Sequence, residues 1–272
     1  MYDVTPEVRR HWHALMKSAA AGAELAVECI DHSPPAPLTD LWARDDLVLG
    51  FMCGLPLATR YPDVQPLAAP LTALSEGDRP TYRSVWLVRA DSAFDGLPST
   101  FGHRIGWTIE HSHSSFNAPR HALLGHRSRA CASLYRESVG PLGDPRSALA
   151  ALTEDRIDVT AIDAYWWRLL ERHDTRAALS YRAIGETASA PMPPLICSAA
   201  LAPSLAPALV AALAELHTDR AAATHLDALD IERFAPVARA DYACLPDLDR
   251  AAREAGYPQP SRAAVDRTAS PR

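Results

Sequence analysis

Ser112, Ser114 and Ser115 crowd into one short stretch just ahead of Phe116, Asn117, Ala118 and Pro119. Hydroxyl residues followed closely by proline mark a helix start: Ser114 or Ser115 reads as the N-cap, and Pro119 falls in the first turn, where a missing N–H costs little. That first turn carries unpaired N–H donors and a partial positive charge. With the three hydroxyls added, it is suited to hold an oxyanion such as phosphate, phosphonate or carboxylate. Capping alone accounts for the same residue types, and a cap and an anion site can be built from the same groups.

Other residues of useful chemistry sit where elements end. Cys53 and Gly54 close the apolar run 46–53, and ligands of open α/β sheets bind at the carboxyl ends of strands. Tyr82 and Ser84 share one side of a predicted strand over 81–90. Asp163 ends the run 157–162 and precedes the helical pattern of Tyr165, Trp166, Leu169 and Leu170; its carboxylate can cap that helix or accept from a ligand. Were Cys53, His111, His113, Asp144 and Asp163 to converge, they would suffice for acid–base chemistry. His103, His111, His113, His121 and His126 offer imidazoles for a metal, but no spacing fixes a third or fourth ligand. No Gly-x-Gly-x-x-Gly loop, Cys-rich iron motif or Ser-His-Asp order with supporting context is found. No catalytic residue, cofactor or metal is therefore assigned.

The elements that position these residues alternate. Val8, Trp12, Leu15, Met16 and Ala19 form one stripe of an amphipathic helix over 6–20. Residues 24–30 read as a strand, followed by a turn with Pro34, Pro35 and Pro37; 38–44 as a short helix; and 46–53 as a strand buried on both faces. Further strands are expected at 64–69, 81–90, 134–139, 157–162, 179–187, 194–199 and 234–238, with helices between them and a polar tail after Pro258. Such alternation is the mark of an α/β chain with mostly parallel sheets.

Composition limits the function classes. With 272 residues, 48% hydrophobic and 22% charged, the chain has the make-up of a globular protein large enough for two lobes. A net charge of -6 gives no concentrated basic face, so no nucleic-acid partner is expected. No apolar run reaches the roughly 18 residues of a membrane span, so no membrane insertion is expected. The five cysteines are odd in number and scattered, the pattern of reduced thiols. The start, Met1-Tyr2-Asp3, soon followed by Arg9 and Arg10, lacks the plan of a secretory signal, which points to the cytoplasm.

Several segments together resemble the phosphate/phosphite/phosphonate type of ABC-transporter substrate-binding protein. They are Leu41-Trp42-Ala43-Arg44-Asp45-Asp46-Leu47, Cys53-Gly54-Leu55-Pro56-Leu57, Tyr82-Arg83-Ser84 leading into Val85, and Ser112-His113-Ser114-Ser115-Phe116-Asn117-Ala118. Asp158-Val159-Thr160-Ala161-Ile162-Asp163 and Ala255-Gly256-Tyr257-Pro258 complete the set, in the family's order. The resemblance implies a two-lobed type II periplasmic-binding fold with two mostly parallel sheets, a hinge and an interlobe cleft that closes on ligand. It places 1–84 with 191–272 in lobe 1 and 85–190 in lobe 2, with crossovers near 84–90 and 186–196 and a disordered tail at 259–272.

By the same resemblance the chain binds a small anionic or polar solute through Tyr82, Ser84, Ser112, His113, Ser114, Ser115, Asn117, Cys53, Gly54 and Asp163, with an ABC-transporter permease as partner. The family also implies a periplasmic location if the native start lies upstream; Met1-Tyr2-Asp3 is similar to the end of the family's usual first strand. The chain departs from the pattern at Leu55, where a tyrosine is frequent, at Gly143-Asp144-Pro145, where a histidine-bearing turn is usual, and at Ser115, where glycine is usual. Two donors are lost and a carboxylate is gained, which weakens the expectation of a doubly charged phosphonate. An enzyme of small-molecule or cofactor metabolism on the same scaffold is the alternative.

Overall fold

The computed structural model describes residues 1–32, 36–128 and 132–260. Helix α1 (Pro6–Gly22) is followed by α2 (Leu38–Trp42), strand β1 (Gly50–Phe51), α3 (Gly54–Thr59) and β2 (Gln65–Thr72). Next come β3 (Thr81–Tyr82), β4 (Ser84–Arg89), β5 (Arg104–Gly106), α4 (Ala118–Leu123) and β6 (Glu137–Val139). The chain continues through α5 (Pro145–Thr153), β7 (Val159–Asp163), α6 (Ala164–His173), α7 (Thr175–Ala178), β8 (Tyr181–Glu186), β9 (Ala190–Pro191) and β10 (Leu195–Cys197). It closes with α8 (Ala202–Glu215), α9 (Arg220–Ala228), β11 (Ile231–Pro236) and α10 (Cys244–Glu254).

Two compact units share these elements. One comprises Met1–Arg83, Ala164–Ala178 and Ser189–Leu245; the other comprises Ser84–Asp163, Leu179–Ala188 and the chain from Pro246 on. Two segments thus fall outside the boundaries expected from sequence. The segment with α6 and α7 joins the first unit because its polar groups are used there: Tyr165 donates to the Leu229 carbonyl at 2.6 Å, Arg172 pairs with Asp227 at 2.8 Å, and Arg168 pairs with Asp230. The chain from Pro246 joins the second unit because Arg120 binds Asp249 and, at 2.8 Å, the Pro258 carbonyl, while Arg127 reaches the Ala255 carbonyl at 2.8 Å. The expected tail lies, from residue 261, outside the described residues, as do Pro34, Pro35 and Cys131.

In the first unit the sheet order is β1-β10-β2-β11. Every pairing is antiparallel. β1 and β2 both oppose β10, so they run parallel to each other with β10 reversed between them. Helix α1 forms as its sequence dictates: the Thr5 hydroxyl accepts from the Val8 N–H at 3.2 Å, proline occupies the first turn, and Val8, Trp12, Leu15 and Ala19 are buried. A short ladder of β3 with β9 also belongs to this unit.

In the second unit the order is β6-β5-β7-β4-β8. β5 is parallel to both β6 and β7, whereas β4 runs antiparallel to β7 and β8. In the first unit β10 and β11 therefore run against β1 and β2, in the second β4 alone runs against the others, and β10 and β4 each follow shortly after the chain has passed from one unit to the other. That reversal corrects the expectation of mostly parallel sheets, since alternating helices and strands report chain order but not the direction of a strand inserted after a crossover. A second correction concerns residues 24–30 and 46–53. Residues 25–30 are extended but join no ladder, and only Gly50–Phe51 of the second run is paired, with β10 alone.

Candidate functional site

The serine stretch starts a helix earlier than its sequence suggests. Ser112, not Ser114 or Ser115, is the N-cap: its Oγ accepts from the Ser115 N–H at 3.2 Å. A single wide turn, His113–Asn117, follows, in which the Asn117 N–H donates to the Ser112 carbonyl at 3.0 Å, and α4 continues from it. Pro119 thus sits in the second turn of a continuous helical stretch. The wide turn is possible because the Ser115 side chain is pulled inward, where its hydroxyl meets the Thr108 hydroxyl and accepts the Thr108 N–H at 3.2 Å. Thr108 carries no local signal of this role; only the fold brings it to the turn.

These bonds divide the serines by task. Ser112 and Ser115 are buried and spent on holding the turn. Ser114 is half-buried, has its Oγ 3.4 Å from that of Ser112, and its N–H has no acceptor among the described residues. It is the group of the turn best placed to donate to a solute.

His113 and Asn117 lie behind the turn, both buried. Arg120 donates to the Asn117 Oδ1 at 3.4 Å, which orients the amide so that its Nδ2 faces the His113 Nδ1 at 3.2 Å. Nδ1 is then the acceptor, and the imidazole carries its proton on Nε2. Burial, aided by the nearby His121, lowers the His113 pKa to about 4, so the ring is neutral at ordinary pH. Arg120 is itself enclosed, with its guanidinium 4.6 Å from the Phe116 ring centre and paired with Asp249. It anchors the helix and is not a spare cation.

Ser84 and Asp163 are opposite one another in the β4–β7 register, both buried. The Ser84 N–H donates to the Thr187 Oγ1 at 3.0 Å and its carbonyl accepts the Thr187 N–H at 2.9 Å. Asp144 is the N-cap of α5, accepting from the Ser147 N–H at 3.1 Å and its hydroxyl at 2.8 Å. The carboxylate that sequence placed among possible acid–base groups is committed to a helix end.

Cys53, Gly54 and Tyr82 belong to the other unit. Cys53 precedes α3, with its thiol 3.9 Å from the Met1 sulfur. A Cβ on Gly54 would come within 2.8 Å of both Leu245 and Tyr242, so packing requires glycine there. Tyr82 is buried in β3, opposite Ala190. Among the described residues, no group of three or more His, Cys, Asp or Glu side chains is arranged to hold a metal ion. No described helix is long and apolar enough to cross a membrane.

A family model described as ABC transporter, phosphonate, periplasmic substrate-binding protein matches residues 36–242. No curated protein matches the chain. Among solved structures, a binding-protein component of an ABC phosphonate transporter from Pseudomonas aeruginosa superposes with a TM-score of 0.76 at 14% identity, over 92% of this chain and 83% of its own. PhnD1 from Prochlorococcus marinus, in complex with methylphosphonate, gives 0.75 at 14% identity over 92% and 95%. A Xanthomonas citri protein bound to ATP gives 0.62 at 18% identity over 92% and 94%. These likenesses concern the fold.

Proposed function

Because this chain belongs to the ABC-transporter phosphonate periplasmic substrate-binding proteins, we propose that its serine turn binds the oxyanion of a small phosphonate or a related anion. The observation that carries this reading is the division of labour at the turn: Ser112 and Ser115 hold its shape, which leaves the hydroxyl and N–H of Ser114 to donate. Donors fixed before the ligand arrives lose little freedom on binding. His113 and Asn117 are a buried neutral pair behind the turn, so an anion there is met by hydrogen-bond donors and not by an imidazolium charge.

Asp163 and Ser84 add an acceptor and a hydroxyl from the same unit. A carboxylate favours a ligand that brings its own donor, such as a monoprotonated phosphonate or an aminoalkylphosphonate. The partner in this reading is an ABC-transporter permease and the compartment is the periplasm that the family's description names.

Calorimetric titration with methylphosphonate, aminoethylphosphonate, phosphite, phosphate and ATP tests the proposal. Saturable binding of one of the small oxyanions, with the ligand recovered unchanged, is the expected result. Conversion of the ligand into another compound would identify an enzyme instead, and binding that survives intact in Ser114→Ala would remove the turn from the site.

A further inference from the structure

Three imidazoles meet in the first unit, where α1 packs on α6 and α9. The His11 ring of α1 lies edge-on to the His225 ring of α9, with centres 5.1 Å apart, and the His173 ring at the end of α6 is 6.4 Å from that of His11. All three are half-buried. The Nδ1 atoms of His11 and His225 are 2.9 Å apart. A hydrogen bond at that distance needs one nitrogen that carries a proton and one that does not. Two protonated Nδ1 atoms cannot face each other there.

The surroundings decide which ring must stay bare. The Nε2 of His11 is 3.9 Å from the Glu7 carboxylate, so a neutral His11 keeps its proton on Nε2 and offers Nδ1 as acceptor to the His225 Nδ1–H. His173 donates from Nε2 to the Ala228 carbonyl at 2.7 Å. His225 and His173 lie in the last turns of α9 and α6, where the partial negative charge of a helix end favours an imidazolium. His11 is inside α1, beside Arg10. Burial and then His225 lower its pKa; Glu7 opposes this, and His173 and Arg10 add to it. Helix α8, which also packs on α1, brings no ionisable group before Glu215, and His217 beyond it is exposed with Nδ1 2.7 Å from the Ala214 carbonyl. The first protons therefore go to His225 and His173 and leave the Nδ1 contact intact. A proton on His11 breaks it.

The consequence falls on one helix. Among the described residues, the contact of His11 with His225 is the one side-chain hydrogen bond that ties α1 to α6, α8 or α9. Helix α6, by contrast, is fastened to α9 and the turn after it by Arg172 with Asp227 at 2.8 Å, Tyr165 with the Leu229 carbonyl at 2.6 Å, and Arg168 with Asp230. We propose that the three imidazoles are an acid-operated latch, which holds α1 to α9 while His11 is neutral and loosens α1, with α6 still bound to α9, once His11 and His225 both carry a proton at Nδ1. The sign follows from the chemistry: the latch is closed above the ordinary histidine range and opens as pH falls below it.

Two measurements on the whole chain between about pH 7.5 and about pH 4.5 test the latch: titration of the imidazoles by NMR, and amide exchange along α1 compared with β2 of the same unit. The expected result is that His225 and His11 take up protons in separate steps, about one pH unit or more apart. Once intrinsic rates are removed, the α1 amides should exchange at least about tenfold faster relative to those of β2 at the acid end. His11→Gln, whose amide oxygen accepts from His225 without titrating, should abolish the α1 response, and His113→Gln should leave it intact. His225→Gln serves the same end where His11→Gln does not fold. Titration of the two rings in a single ordinary step, an α1 that follows β2 at every pH, or a response kept in His11→Gln overturns the proposal. So does a response that EDTA removes, which would make the cluster a metal site.

Discussion

Ser114 is the side chain on which anion affinity should turn. Ser114→Ala is expected to weaken binding of whichever oxyanion the titration identifies by about 1 to 3 kcal/mol, the range for a hydrogen bond to charge, with little change in unfolding midpoint because the cap belongs to Ser112. Calorimetry and a urea melt on the same sample separate the two effects. His113 makes a prediction about pH. Its folded pKa of about 4 lies below the ordinary 6.5, so between these values the unfolded chain binds the proton that the folded chain refuses, and stability falls as pH drops through that window. His113→Gln should flatten this part of the profile, which chemical unfolding at pH 7, 5.5 and 4.5 would reveal; an unchanged slope would show that the ring does not titrate as a buried neutral group. Both serine and histidine were legible as site candidates from their types and spacing. Which serine caps and which is left to donate was not, because that choice depends on Thr108, seven positions away and engaged only through the fold.

At the scale of elements, α3 shows how a residue read as a ligand contact can be held by packing. Gly54 opens this helix, and a methyl group there would press on Leu245 and Tyr242, with Tyr242 fixed by its own bond to the Met192 carbonyl at 2.9 Å. Gly54→Ala is expected to cost about 1 to 3 kcal/mol of stability by overpacking, read as a lower urea midpoint with unchanged slope. A neutral result would mean that the Leu245 side chain can swing aside. The helices were largely visible in sequence: the stripe of α1 and its Thr5-Pro6 start follow from local rules. The strands were visible as apolar runs, but their partners were not. Residues 25–30 have the alternation of a strand and no neighbour, since periodicity records which face is packed and says nothing of whether a ladder exists.

For the whole molecule, ligand binding should appear as global stabilisation. At a hundredfold excess over its dissociation constant, a bound oxyanion adds about 2.7 kcal/mol, which raises the unfolding midpoint by several degrees in a chain of this size. A shift absent for all oxyanions, in a protein that is folded by circular dichroism, would mean that the family's anion site is lost in this member. The sequence by itself determined the α/β class, the family and the order of the elements, because these rest on local apolar periods, helix-start chemistry and short motifs along the chain. Tertiary structure alone decided that α6 and α7 belong with Met1–Arg83 and that the chain from Pro246 belongs with Ser84–Asp163. It also decided that β10 and β4 run against their neighbours. The physical reason is the same in each case: partnership between segments far apart in sequence is set by long-range hydrogen bonds and ion pairs, such as those of Tyr165 with Leu229 and Arg120 with Asp249, which leave no trace in local pattern.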